Sequence, residues 1–136
     1  FVDPEAAQHV LESGIKTTLV PLDACNYVKM INRDFEATKG TLGEQIRHIV
    51  SPYVKASSID EGGAPMYDPL TVYYALNPNA FDVEKLDVLV EIKGKITKGM
   101  TVADLRKTPE QKNIINVVKQ AHAEDFKKDF IDYLNT

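Results

Sequence analysis

DPEAAQHVLESGIKTTLVPLD, residues 3–23, changes its pattern halfway, and that change decides the fold class. Pro4 has a fixed φ and no backbone N–H, so it suits the first position of a helix and leaves Asp3 to cap it. Ala6, Ala7, Val10 and Leu11 fall on one helical face, and Gly14 closes the element. IKTTLVPLD, residues 15–23, is then short, β-branched and apolar toward its end, which predicts a strand finishing near Asp23. A helix running directly into a buried strand points to an α/β layer.

The last third supports a sheet. KLDVLVEIKGKITKGMTVADL, residues 85–105, holds two β-rich runs around Gly94 and Gly99, and NIINVVKQ offers a third after the polar RKTPEQK. Their closeness in sequence predicts antiparallel neighbours. A terminal helix over about 121–135 opens with Glu124 and Asp125, where the helix dipole favours acid, and sets Phe126, Phe130 and Leu134 on one stripe for the sheet. No internal repeat or low-complexity tract interrupts this order.

Between these regions, residues 33–39 and 42–55 read as two helices broken at Gly40, with Pro52 near the end of the second. KASSIDEGGAP, residues 55–65, is the most loop-like stretch, and its Ser and Gly content predicts mobility. GGAPMYDPLTVYYALNP, residues 62–78, repeats the Asp-Pro helix start. Asp68 is expected as N-cap, Asn77-Pro78 as the stop, and the apolar run between them as a helix buried almost all round. A buried helix start could also hold a carboxylate rigidly for chemistry.

Composition narrows the function. At 136 residues the chain is one domain at most, and 16 basic against 20 acidic residues give a net charge of -4. No basic cluster is interleaved with aromatics, which argues against a nucleic-acid partner. No apolar segment approaches the ~18–20 residues of a membrane span, and no signal-peptide pattern is visible. Cys25 is the single cysteine, which fits a reducing, cytoplasmic setting. It reads as a buried structural thiol. His9, His48 and His122 have no metal-ligand spacing, and the acidic stretch at residues 60–63 lacks the ligand spacing of a calcium loop. There is no P-loop and no GxGxxG. The lysines at 93–98 read as a solvated hairpin face.

In order and separation, DPEAAQHVLESG…TLVPLD, then GGAPMYDPLTVYYALNP, then VLVEIKGKITKGMTVADLR resembles the C-terminal portion of the inosine-uridine preferring nucleoside hydrolases. The likeness covers nearly the whole chain. It implies an open, mostly parallel, Rossmann-like sheet layered with helices, with the antiparallel three-strand section and terminal helix beside it. It also implies hydrolysis of the N-glycosidic bond of ribonucleosides to ribose and free base, with a bound calcium ion. Asp68 matches the aspartate that binds both calcium and the ribose hydroxyls, so cap and ligand need not compete. Tyr53 lies where family members place aromatic contacts to the base. Tyr67 stands at the family's histidine, a candidate for protonating the departing base; a phenol titrating near 10 can donate a hydrogen bond but releases its proton far less readily.

Two family elements do not occur in these residues: the DxDxxxDD cluster that supplies most calcium ligands and the water-activating carboxylate, and the ribose-binding Glu and Asn motif. Asp68 alone cannot satisfy the six to eight oxygens calcium takes as a rule. The resemblance therefore implies that residues 1–136 are the C-terminal portion of a nucleoside hydrolase-like domain, inactive and weakly calcium-binding alone. With a sheet edge and helix faces uncovered, such a piece is expected to associate with itself, as a homo-oligomer, or with another fragment. The alternative is a non-catalytic module for nucleoside binding or subunit association.

Overall fold

A computed structural model describes residues 2–60, 62–106 and 112–136. The chain folds as two compact units, residues 1–19 with 83–118, and residues 20–82 with 119–136.

In the first unit, helix α1 (Pro4–Glu12) starts as the sequence predicts: Asp3 Oδ1 accepts the Ala6 N–H at 2.9 Å. Strand β1 is Thr18–Leu19, β4 is Phe81–Val90, β5 is Thr101–Asp104 and β6 is Ile114–Ala121; the sheet order is β1-β6-β4-β5. β1 pairs parallel with β6, Thr18 opposite Asn116. β4 pairs antiparallel with β5, Val88 opposite Ala103. Val88 N–H donates to Asn113 O and His122 N–H donates to Ala80 O, so β4 and β6 run in opposite directions and complete the antiparallel three-strand section. Leu86, Val88, Ile115 and Val117 form this unit's core, with Leu11, Leu19 and Ala103 packed on it. Buried Asp87 accepts from the N–H groups of Lys112 and Asn113 at 3.1 and 2.9 Å, which fixes where β6 begins.

The second unit holds helix α2 (Leu22–Cys25), strand β2 (Lys29–Met30), a 3-10 helix (Asn32–Ala37), α3 (Gly40–Asp60), β3 (Ala64–Pro65), α4 (Tyr67–Leu76) and α5 (Ala123–Leu134). Its centre is aromatic. Tyr73 meets Phe126 edge-on at 5.3 Å, Phe126 stacks on Phe130 at 5.3 Å, and Phe130 meets Phe35 at 6.5 Å. Tyr73 Oη donates to Asp129 Oδ2 at 2.7 Å and accepts from Asn77 Nδ2 at 3.1 Å, tying α4 to α5.

The α/β class, the antiparallel section and the presence of a terminal helix are as the sequence indicates, but the stripe expected on the sheet makes its ring contacts with Tyr73 of α4 and Phe35 of the 3-10 helix, and several boundaries move. The first strand ends at Leu19, not near Asp23. Pro21 cannot donate to a ladder, and its carbonyl instead accepts the Cys25 N–H at 3.2 Å, placing Asp23 in the first turn of α2. The helix expected over 33–39 is a 3-10 helix over 32–37. α3 runs through Pro52 to Asp60, so residues 55–60, expected as loop, are helical. One proline removes one hydrogen bond, and the flanking turns carry the helix across it. Glu61 lies outside the described residues; Gly62 and Gly63 follow at φ 70° and 142°. Among the described residues, no helix is long and apolar enough to cross a membrane.

Candidate functional site

The start of α4 is held from behind by a short antiparallel ladder. Lys29 lies opposite Pro65 and Met30 opposite Ala64, and the Met66 N–H donates to Val28 O at 3.1 Å. Gly63 is required for this approach: a Cβ there would lie 3.1 Å from Lys29 Cβ and 3.2 Å from Met30 O, at a φ only glycine adopts readily. The ladder delivers the chain to Met66, whose carbonyl accepts the Leu70 N–H at 3.1 Å, so the helix begins at Tyr67.

Asp68 is therefore not the N-cap. Met66 occupies that position, and no side chain caps the helix there. Asp68 is the second helical residue, exposed, in the first turn where the dipole favours an anion. Pro69 is third, where a backbone N–H has no partner within the helix anyway. The expectation that α4 is buried almost all round is also corrected. Leu70 and Tyr73 are buried, but Val72 is 60% and Leu76 65% exposed.

α2 packs against α4 and brings Cys25 into the electrostatic reach of Asp68. The thiol is 2% exposed. Burial pushes its pKa up, and the Asp68 charge pushes it further. Tyr67 is half-buried beside Asp68, and its carbonyl accepts from Thr71 Oγ1 at 3.2 Å. Tyr53 is 48% exposed on α3, and α3 packs on β3, which lies one residue ahead of α4. β3 thus has α3, which carries Tyr53, packed on it, and leads one residue later into α4, which carries Tyr67 and Asp68.

Sequence reasoning did not find the Tyr73–Asp129 bond, whose partners are 56 residues apart. Nor did it find that Cys25 lies within the electrostatic reach of Asp68, which no local motif announces. Burial and the Asp129 carboxylate push the Tyr73 phenol up to about 12, so it serves as a fixed donor. His122 lies 3.6 Å from Asp125 and 3.9 Å from Asp82, whereas His9 and His48 are exposed on their helices.

Among the described residues, no group of three or more His, Cys, Asp or Glu is arranged to hold a metal ion. The calcium implied by the resemblance does not fit these residues by themselves, since Asp68 offers a single carboxylate. A cleft of about 420 Å³ in the first unit is lined by Asp87, Asp104 and Arg106, but these charges are committed to one another and to the backbone.

Comparison with known proteins identifies the lineage. The inosine-uridine preferring nucleoside hydrolase family profile matches residues 1–128. The chain is 34% identical over 110 residues to the pyrimidine-specific ribonucleoside hydrolase RihA of Enterobacter sp. strain 638, covering 76% of this chain and 35% of that protein. It is 37% identical over 111 residues to RihA of Salmonella enteritidis PT4, with the same coverage. The chain thus spans about a third of the length of these curated relatives. The fold matches a purine-preferring ribonucleoside hydrolase from Gardnerella vaginalis with a TM-score of 0.84 at 21% identity, over 97% of this chain and 43% of that one. A plant nucleoside hydrolase superposes with a TM-score of 0.86 at 19% identity, over 98% of this chain and 45% of that one. The chain belongs to the inosine-uridine preferring nucleoside hydrolase family.

Proposed function

We propose that this chain is the C-terminal portion of a ribonucleoside hydrolase that cleaves the N-glycosidic bond to ribose and free base. The observation that carries the reading is the kinship with RihA over 76% of the chain. The position of Asp68 agrees with it: an exposed carboxylate on a rigidly anchored helix turn that takes no part in capping. In this reading Asp68 receives the ribose hydroxyls and contributes one donor to calcium once further carboxylates are supplied. Tyr53 stacks on the base, and Tyr67 donates a hydrogen bond on the leaving-group side. A lone buried thiol is compatible with a cytoplasmic enzyme.

Glycosidic hydrolysis passes through an oxocarbenium-like sugar and needs an activated water on one face and help for the departing base on the other. The chain carries candidates only for the second and for holding the sugar, so alone it is predicted to be inactive. The alternative is a non-catalytic module for nucleoside binding or subunit association, which turnover separates from the hydrolase reading.

The test joins this chain to the part of Salmonella RihA that it does not match and follows base release from uridine, cytidine and inosine. The chain alone is expected to release none, and the joined protein to turn over. Asp68→Ala in the joined protein should lower turnover on the order of 10²–10³-fold, as the loss of a group aimed at the reacting sugar does. A folded, joined protein without turnover would favour the module.

A further inference from the structure

We infer that the outer edge of strand β5 is a two-fold pairing site for a second copy of this chain. The sheet order β1-β6-β4-β5 puts β5, Thr101–Asp104, at an end, and no strand among the described residues pairs with its far side. Which main-chain groups face that side follows from two bonds made by β4 and the residue after it. The Val88 N–H donates to Asn113 O at 3.2 Å, toward β6, so Val88 and its partner Ala103 exchange no bonds with each other. The Glu91 N–H donates to Met100 O at 2.9 Å, and alternation from there gives the main-chain groups of Val102 and Asp104 to β4. Thr101 and Ala103 therefore turn their N–H and carbonyl groups outward. The four residues of β5 include no Lys and no Pro, the side chains that usually blunt an open strand, and the Asp104 carboxylate is already held by Arg106.

The occupant follows from the pattern of these residues. Antiparallel strands bond through residues whose groups face each other, so Thr101 of one copy meets Ala103 of the other on both sides of a two-fold axis at Val102. Val102 is 49% exposed and shares a sheet face with Leu89, its partner on β4, which is 46% exposed. Pairing in this register lines up Leu89 and Val102 of one copy with Val102 and Leu89 of the other, an apolar row across the seam with no like charges opposed. Moving the register two residues one way sets Val102 against Asp104. Moving it the other way runs into the bulge at Gly99, φ 88°, where Gly99 and Met100 both bond Glu91. The strand is thus complementary to itself in one register. A pair of strands this short lies at the low end of interface size, so the association is weak and concentration-dependent.

Val102→Cys tests the register, because the two Val102 positions form a non-hydrogen-bonded pair with Cα atoms about 4.5 Å apart, within disulfide reach. In the 136-residue chain under a glutathione redox buffer, Val102→Cys is expected to form a cross-linked dimer at least about tenfold faster than Ile96→Cys, although Ile96 is 95% exposed, since antiparallel pairing holds the two hairpin turns at opposite ends of the seam. Equal rates overturn the proposal. Sedimentation of the parent at rising concentration should show a monomer-to-dimer equilibrium, and Val102→Lys, which sets two ammonium groups against each other, should abolish it while the melting curve stays that of the parent. Thr101→Pro removes an outward N–H, leaves the bonds to β4 in place, and should also abolish it. A parent that stays monomeric at millimolar concentration overturns the proposal, as does a dimer that survives both substitutions in folded protein. None of these readouts involves base release, so the hydrolase reading stands or falls separately.

Discussion

Asp3-Pro4 and Asp68-Pro69 are the same dipeptide at the front of two helices, and the structure uses the two carboxylates differently. At α1 Asp3 takes the cap position, and its Oδ1 closes on the Ala6 N–H. At α4 the β2–β3 ladder ends at Pro65 and Met66, so the helix starts two residues earlier than Asp-Pro would dictate. Asp68 is carried into the first turn with its carboxylate outside the helix's own bonding. At α4 the upstream ladder, not the local Asp-Pro motif, sets the helix start. Where the upstream ladder wins, the spare carboxylate is available to a ligand.

If the ladder and inner packing hold α4 in place of a cap, then the largest stability loss on this helix belongs to Leu70. Leu70→Ala is expected to destabilise the chain by about 2–5 kcal/mol in urea unfolding, whereas Leu76→Ala on the open face should change it by less than about 0.5 kcal/mol. Equal losses would mean that the outward face is already covered in the chain alone. Next comes the phenol that pins α4 to α5. Tyr73→Phe should cost about 1 kcal/mol at neutral pH. The folded phenol titrates at about 12 against about 10 unfolded, so its contribution is complete below pH ~10 and declines as pH rises toward ~12. The parent should lose stability across that window, and Tyr73→Phe should flatten this part of the profile. The smallest effect is electrostatic. Asp68→Asn should lower the Cys25 pKa part of the way toward that of an ordinary thiol, seen as thiolate absorbance during alkaline titration, because burial remains when the charge is gone.

The sequence was most readable where short-range chemistry decides structure. The α1 cap, the antiparallel runs around Gly94 and Gly99, and the Phe126–Phe130 stripe are all local patterns, and each is present. The reading failed where a distant contact overrode local preference. The Gly and Ser of residues 55–65 suggested a loop, yet α3 continues to Asp60, and Ala64–Pro65 is held as a strand by Lys29–Met30. The burial of α4 was misjudged because composition reports how apolar a helix is and not which of its faces a neighbour reaches. Asp68, Tyr67 and Tyr53 were singled out as candidates through family likeness. The structure adds that α3 packs on β3, which leads into α4, and that Cys25 lies within reach of the Asp68 charge.

The most direct test of the contrast between the two Asp-Pro starts is a pair of thermal melts on the 136-residue chain, with Asp3→Ala in one and Asp68→Ala in the other. Loss of a true cap costs about 1 kcal/mol, or roughly 3–5 °C for a chain of this length, and that drop is expected for Asp3→Ala. Asp68→Ala should lose only its helix-dipole share, about 0.5 kcal/mol or less, and melt within roughly 2 °C of the parent. A drop for Asp68→Ala as large as that for Asp3→Ala would show that Asp68 is a structural cap after all, and would erase the contrast between the two helix starts.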